Sequence, residues 1–206
     1  MRRFRSTAFL SAALFIMSAC ASQPDNTTAP PNLSASATSQ SPNDQNGTFS
    51  DNELAAAISD HLGVTAESAA SAIERVFREQ GRPVGYITGE EGGGAFTVGL
   101  RFGKGTLWMK DGRTQNMFWQ GPTIGFDIGA EVSKVFVLVY NLPEPSNIYQ
   151  RFPGVDGSAF LVAGLAVNYQ RSNGIVLAPV RSGVGVRLGA NIGYTSYTRK
   201  RSLIPL

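Results

Sequence analysis

The stretch Thr106-Leu-Trp-Met-Lys-Asp-Gly-Arg-Thr-Gln-Asn-Met-Phe-Trp-Gln120 sets two runs of bulky side chains around Asp111-Gly112. Asp-Gly accepts the positive φ of a tight hairpin turn, so Trp108–Lys110 and Thr114–Trp119 are read as paired antiparallel strands. Asn173-Gly174 repeats the device between Val167–Tyr169 and Ile175–Leu177. Working outward, period-2 patterning gives strands at Val84–Thr88, Ala95–Phe102, Thr106–Lys110, Asn116–Gln120, Thr123–Gly129, Lys134–Tyr140, Ala159–Asn168, Ile175–Pro179 and Val184–Thr198. Of the 23 glycines, 21 lie at or after Gly81, and glycine at bends lets a small sheet curve tightly. Short strands, tight turns and no helices between them predict a mainly β domain over residues 83–206. Its expected form is a small, soluble, glycine-rich antiparallel β-barrel. A transmembrane barrel is disfavoured, since the strands carry no aromatic girdles and Leu203-Ile-Pro-Leu206 holds no aromatic residue.

Residues 49–82 carry a different period. Ser50 and Glu53 form a Ser-x-x-Glu capping box, and Leu54, Ile58 and Leu62 follow on one helical stripe. Gly63 ends that helix and Thr65 caps a second, with Ala69, Ile73, Val76 and Phe77 on its apolar face. Gly81 and Pro83 stop it. Two short α-helices are therefore expected ahead of the barrel. His61, the single histidine, sits between Ile58 and Leu62 and reads as a surface or half-buried helix residue. Pro143–Phe152 reads as a turn of helix between strands. Gly89-Glu-Glu-Gly-Gly-Gly94 reads as a flexible or tightly turned loop. It lacks the Lys and Ser/Thr of a P-loop, and its adjacent carboxylates would repel phosphate.

The N-terminal region describes an export route. Arg2, Arg3 and Arg5 precede an apolar run from Ala8 to Met17, too short for a mature membrane span but suited to a signal peptide over residues 1–20. Met17-Ser-Ala-Cys20 resembles a lipobox, which would make Cys20 a lipidation site. Ala19-Cys-Ala21 also fits ordinary cleavage. Residues 21–48, rich in Ser, Thr, Asn, Gln, Pro and Ala, form a polar tether without the apolar surface to fold. Cys20 is the only cysteine, which excludes an intramolecular disulfide and a cysteine metal site. The formal charge of +3 resides in the signal: without its three arginines, 15 Lys and Arg balance 15 Asp and Glu. No positive field remains to argue for nucleic acid.

Three strands place one charge between two glycines on one face: Gly99-Leu-Arg101-Phe-Gly103, Gly125-Phe-Asp127-Ile-Gly129 and Gly185-Val-Arg187-Leu-Gly189. Three explanations are open. The face is a solvated exterior, which is the preferred one; or Arg101 or Arg187 pairs with Asp127; or the glycines expose a ligand surface. Glu91, Trp119 and Asn191 join Arg101, Asp127 and Arg187 as the candidate ligand or ion-pair surface, although core packing is the ordinary use of Trp119. No catalytic residue, metal site or cofactor is assigned. Glu90, Glu91, Asp127 and Asp156 are candidates for a glycosidase reading by composition only, and Ser158 lacks the Gly-x-Ser-x-Gly elbow and a nearby imidazole.

Several blocks resemble the envelope integrity protein A family: Gly85-Tyr-Ile-Thr-Gly-Glu-Glu-Gly-Gly-Gly-Ala-Phe96, Phe118-Trp-Gln-Gly-Pro-Thr-Ile-Gly-Phe-Asp127, Leu138-Val-Tyr-Asn-Leu-Pro143, Ile148-Tyr-Gln-Arg-Phe-Pro-Gly-Val-Asp-Gly-Ser-Ala159 and Pro179-Val-Arg-Ser-Gly-Val-Gly-Val-Arg-Leu-Gly-Ala-Asn-Ile-Gly-Tyr194. The resemblance implies a small soluble periplasmic barrel that supports the cell envelope, with no known enzymatic activity and no catalytic motif to carry over. Gly125–Val139 is more distantly similar to the SYLF lipid-binding domain, which raises lipid as a ligand class. The expectation is a non-enzymatic periplasmic protein, tethered to the outer membrane through Cys20 or else free, that contacts an envelope lipid, polysaccharide or protein. A lipid-binding module and an envelope-glycan hydrolase are the alternatives.

Overall fold

A computed structural model describes residues 47–95, 98–124, 132–182 and 193–201. Two short helices precede a curled antiparallel sheet. Helix α1, Asp51–Leu62, starts at Ser50, whose hydroxyl accepts from the Glu53 amide while the Glu53 carboxylate accepts from the Ser50 amide. Gly63, at φ 69°, closes the helix in the left-handed region. Helix α2, Ala66–Gln80, is capped by Thr65 and ended by Gly81. No described helix is long and apolar enough to cross a membrane.

The described strands are β1 Gly85–Ala95, β2 Val98–Met109, β3 Thr114–Ile124, β4 Ser133–Tyr140, β5 Arg151–Pro153, β6 Phe160–Val162, β7 Leu165–Val167, β8 Gln170–Ser172, β9 Ile175–Ser182 and β10 Tyr194–Thr198. They lie in the order β5-β10-β3-β2-β1-β4-β9-β7-β6, with β8 also paired to β9. The sheet curls until β8 returns beside β5. Gly154 bridges Gln170 there, and the Val155 amide donates to the Tyr169 carbonyl at 2.9 Å. A single 3-10 turn, Pro145–Ile148, lies between β4 and β5.

Alternation along β4 and β9 divides the apolar residues between two cores. Phe136, Leu138, Tyr140, Val176, Ala178 and Val180 face the helices, meeting Leu54, Ile58, Ile73 and Val76. Val135, Val137, Val139, Ile175 and Leu177 face the inside of the curl, with Ile87, Leu107, Met117, Phe152 and Trp119. Because helices cover one side and the curled sheet the other, all of Val135–Tyr140 is buried. His61 fastens α1 to this sheet: its Nε2 lies 3.0 Å from the carbonyls of both Gly89 and Val135.

The strands run longer than local patterning indicates. Gly89–Gly94 is not a loop but the second half of β1, paired with β2 throughout and with β4 through Glu91. Most of the expected strands Ala95–Phe102 and Thr106–Lys110 forms one strand, β2, through Gly103-Lys-Gly105, while Ala95 ends β1 opposite Gly99. Ala159–Asn168 divides into the β6–β7 hairpin because Ala163 and Gly164 take φ of 48° and 79°. Both hairpin turns form, with differences. At the first, only Gly112 is left-handed, and the Met109 amide donates to the Arg113 carbonyl across a longer turn. At the second, Asn173 and Gly174 are both left-handed, and they join β9 to Gln170–Ser172 rather than to Val167–Tyr169.

Candidate functional site

The inside of the curl changes character along its length. Alternation on β1 sends Ile87, Gly89 and Glu91 inward, and on β9 the same face carries Ile175, Leu177, Pro179 and Arg181. The inward face of β2 carries Arg101, Gly103 and Gly105. Register then brings the charges together: Glu91 lies across from Gly103 on one side and Ser133 on the other, and Val135 lies across from Arg181.

Glu91, 5% exposed, sits in a cage of donors. Arg181 Nε donates to Glu91 Oε1 at 2.5 Å and Nη2 to Oε2 at 3.3 Å, a two-point clamp. Trp119 Nε1 donates to Oε2 at 3.3 Å, and Arg101 Nε stands 3.8 Å from Oε1. Burial alone would raise the Glu91 carboxyl; the charges of Arg181 and Arg101 and the hydrogen bonds from Arg181 and Trp119 outweigh it and hold the carboxyl below its ordinary range. The Arg181 guanidinium, which burial would lower, is raised by the Glu91 charge and hydrogen bond. Arg181 Nη1 also donates to Asn168 Oδ1 at 3.2 Å. Tyr197 lies alongside; burial raises its hydroxyl well above the usual phenol range.

Glycines make room for this cluster. A Cβ on Gly89 or Gly103 would overlap the Trp119 indole, and one on Gly105 would come within 3.0 Å of it. The Gly-x-Arg-x-Gly face of β2 is therefore the interior face, which corrects its preferred assignment to a solvated exterior. Gly103 and Gly105 on that face seat an indole. Leu100 and Phe102, on the other face, are only half-buried.

A cleft opens beside the cluster, lined by Arg101, Trp119, Gly121, Pro122, Gln170, Gly193, Tyr194 and Thr195. Its volume is about 300 Å³, counting space open to solvent. Gln170 Nε2 donates to Thr195 Oγ1 at 3.0 Å. Gln170 Oε1 and Asn168 Nδ2 are buried without a hydrogen-bond partner.

Of the candidate residues, the structure gathers Glu91, Arg101 and Trp119 into one cluster. Cys20, Asp127, Arg187 and Asn191 lie outside the described residues, as do the signal peptide and most of the tether. Arg181, Asn168, Gln170 and Thr195 escaped the sequence reading. Arg181 was legible: continuing the Ile175, Leu177, Pro179 alternation two residues further reaches it. Asn168, Gln170 and Thr195 carry no local signal. Glu90 does not join Glu91 as a facing acid pair, because neighbours on a strand point to opposite faces; Glu90 stands 3.9 Å from Lys104. Ser158 is a turn residue, its hydroxyl donating to the Val155 carbonyl and accepting from the Tyr169 amide.

Residues 47–206 match the family model described as envelope integrity protein A. The chain belongs to that family. Membership gives it a cell-envelope role. The chain is also similar to a solved structure from Brucella abortus, described as a beta-barrel-like, uncharacterized protein. Identity is 42%, TM-score 0.71, over 78% of this chain and 99% of that one. No curated protein matches the chain. The blocks that resemble the family hold three of the cluster's residues: Gly85–Phe96 contains β1 and Glu91, Phe118–Asp127 contains Trp119, and Pro179–Tyr194 contains Arg181.

Proposed function

We propose that this envelope integrity protein works in the periplasm as a non-enzymatic binding protein, holding an envelope component at the cleft beside the Glu91 cluster. The observation that carries the proposal is a built charged cluster next to a cleft whose wall includes Gln170, its buried Oε1 without a hydrogen-bond partner. Apolar residues of similar size would stabilise a barrel interior at least as well as three ionised side chains. Their presence argues for a role other than holding the fold.

Chemistry at the site supports binding over catalysis. A carboxylate with both oxygens engaged by guanidinium and indole donors, and held ionised, is a poor proton donor. A glycoside hydrolase needs a second carboxyl across a cleft, and Glu90 faces the other way. Cys20 at a lipobox-like sequence and the polar stretch after it support a membrane-tethered protein.

Two measurements test the proposal. In a deletion strain, wild-type protein restores resistance to detergent, while Arg101→Ala, with an unchanged melting profile, does not. Full rescue by Arg101→Ala removes the cleft from the function. Separately, Cys20→Ala shifts the protein from the membrane to the soluble periplasmic fraction; an unmodified, soluble wild-type protein would replace the tether with free diffusion.

A further inference from the structure

The near-neutral charge of the folded part conceals a separation along the chain. Residues 47–91 carry eight acids against three arginines, while residues 145–201 carry seven Lys and Arg against one acid, Asp156. Arg181 is spent on Glu91. Arg151, Arg171, Arg199, Lys200 and Arg201 are exposed, and they form no salt bridge among the described residues.

Strand pairing gathers these cations on one side. Phe152 and Tyr197 point into the barrel, so Arg151, Pro153 and Val155 point outward. On β10, Ser196 lies across from Arg151 and Tyr194 across from Pro153. The Gly154–Gln170 bridge extends the pairing to β8 and sets Arg171 opposite Pro153. Arg171 also faces outward, because its partner Val176 belongs to the helix-side face of the sheet. The Arg151 guanidinium lies 4.1 Å over the Tyr194 ring. Arg199, three residues past Ser196 and so about 10 Å along the chain, lies 4.9 Å over the Tyr149 ring. Between Arg151 and Arg171, Pro153 is exposed and Val155 is 38% exposed. Glu79, the acid of α2 on Arg171's side, is already paired with Arg75 at 3.3 Å.

We infer that this face docks on an anionic membrane surface. Lipid phosphates meet the cations, while Pro153, Val155 and Tyr194 rest at the headgroup level. Guanidiniums stacked on tyrosine rings keep their N–H edges for phosphate oxygens. The cations are spread along the strands rather than converging on one point, which suits a plane of phosphates better than one small anion. The exposed apolar residues among them favour lipid over a free polyanion. An acyl chain at Cys20, as proposed above, would hold the domain beside such a surface, and a basic patch is a second contact that lipid-anchored proteins use. The contact itself needs neither that anchor nor the cleft, so the test removes the anchor.

The exported protein carrying Cys20→Ala is sedimented with vesicles of mixed phosphatidylglycerol and phosphatidylcholine, and with phosphatidylcholine alone. Calorimetry measures inorganic phosphate and polyglutamate beside them. Binding is expected on the anionic vesicles only, weakening as salt is raised. Arg151→Gln and Arg171→Gln each weaken it about fivefold, and together about 25-fold. Lys134→Gln, the same charge change at an exposed site on β4, leaves it within about twofold. Should an arginine variant melt early, the Cys20→Ala protein still answers. Spin-labelled phosphatidylglycerol must broaden the NMR signals of Arg151, Val155 and Arg171 before those of Asp60 and Glu74 on the helices. Equal binding to both vesicles overturns the inference, as do folded arginine variants that bind like Lys134→Gln. Tighter binding of inorganic phosphate than of vesicles replaces the membrane with a small anion, and tighter binding of polyglutamate replaces it with an acidic protein; either result overturns it too.

Discussion

The two ends of the barrel interior are built on opposite principles. Near the end where β4 finishes and β9 begins, Ile87, Leu107, Met117, Val137, Phe152 and Leu177 fill the space with apolar side chains, all at most 2% exposed. Toward Glu91, the same strands supply Glu91, Arg101 and Arg181, with glycines at 89, 103 and 105 cleared for one indole. The first end follows from the hydrophobic effect alone. The second removes charges from water, and only close pairing offsets that loss. A barrel needs the first end to fold; the second asks for another explanation.

Breaking the pairing should have the largest effect. Arg181→Met leaves Glu91 buried with the Trp119 hydrogen bond and the more distant Arg101, and stability should fall by about 3–5 kcal/mol in denaturant melts. Phe152→Ala at the apolar end should cost a similar amount, about 3–5 kcal/mol. The two losses differ in their cure. Glu91→Leu with Arg181→Met should return stability to near the wild-type value while failing to restore detergent resistance. A double variant as unstable as Arg181→Met alone would mean that the cluster holds the barrel together, and the contrast between the ends would dissolve.

Acid sharpens the same contrast. The Glu91 carboxyl is held below its ordinary range, and Glu53, paired with Lys110 and the Ser50 cap, is lowered to about 2 against the effect of burial. A carboxyl lowered on folding adds stability that is present above its unfolded value and disappears as pH falls through the folded one. Melting temperature should therefore hold near neutral pH and fall below the ordinary carboxylate range. Glu91→Gln should flatten that acid limb. An acid limb unchanged in Glu91→Gln assigns the whole effect to Glu53 and the other surface carboxyls.

A smaller loss is expected where the glycines seat Trp119. Gly103→Ala presses a methyl into the indole and should cost about 1–3 kcal/mol, with Gly112→Ala, at an open turn, serving as a strain-only control. Coupling to Trp119→Phe in a double-mutant cycle measures how much of that loss is the contact itself. Ser50→Ala, far from both ends, should cost the least, about 1 kcal/mol from the lost helix cap, without moving the acid limb associated with Glu91.

Much of the fold was legible where the deciding forces are local. Ser50 with Glu53, Gly63, Thr65 and Gly81 mark helix ends, because capping satisfies amides a few residues away. Asp111-Gly112 and Asn173-Gly174 mark hairpins, because left-handed backbone favours those residues. The candidate site was legible only in part. Glu91, Arg101 and Trp119 were identified, but Glu91 was placed in a loop and Arg101 on a solvated face. A glycine run carries the same sequence signal in a loop and in a strand crowded by its neighbours, as Gly89 is by the Trp119 indole and Gly93 by the backbone of Leu100.

By itself the sequence determined the two capped helices, the existence of most strands and the glycine-marked turns, since periodicity and backbone preference act within a few residues. Only the tertiary structure decided which face of each glycine strand is the interior, and that Arg181, ninety residues along the chain, clamps Glu91. Strand order and register fix those partners. They depend on the curl of the whole sheet, which no local pattern encodes.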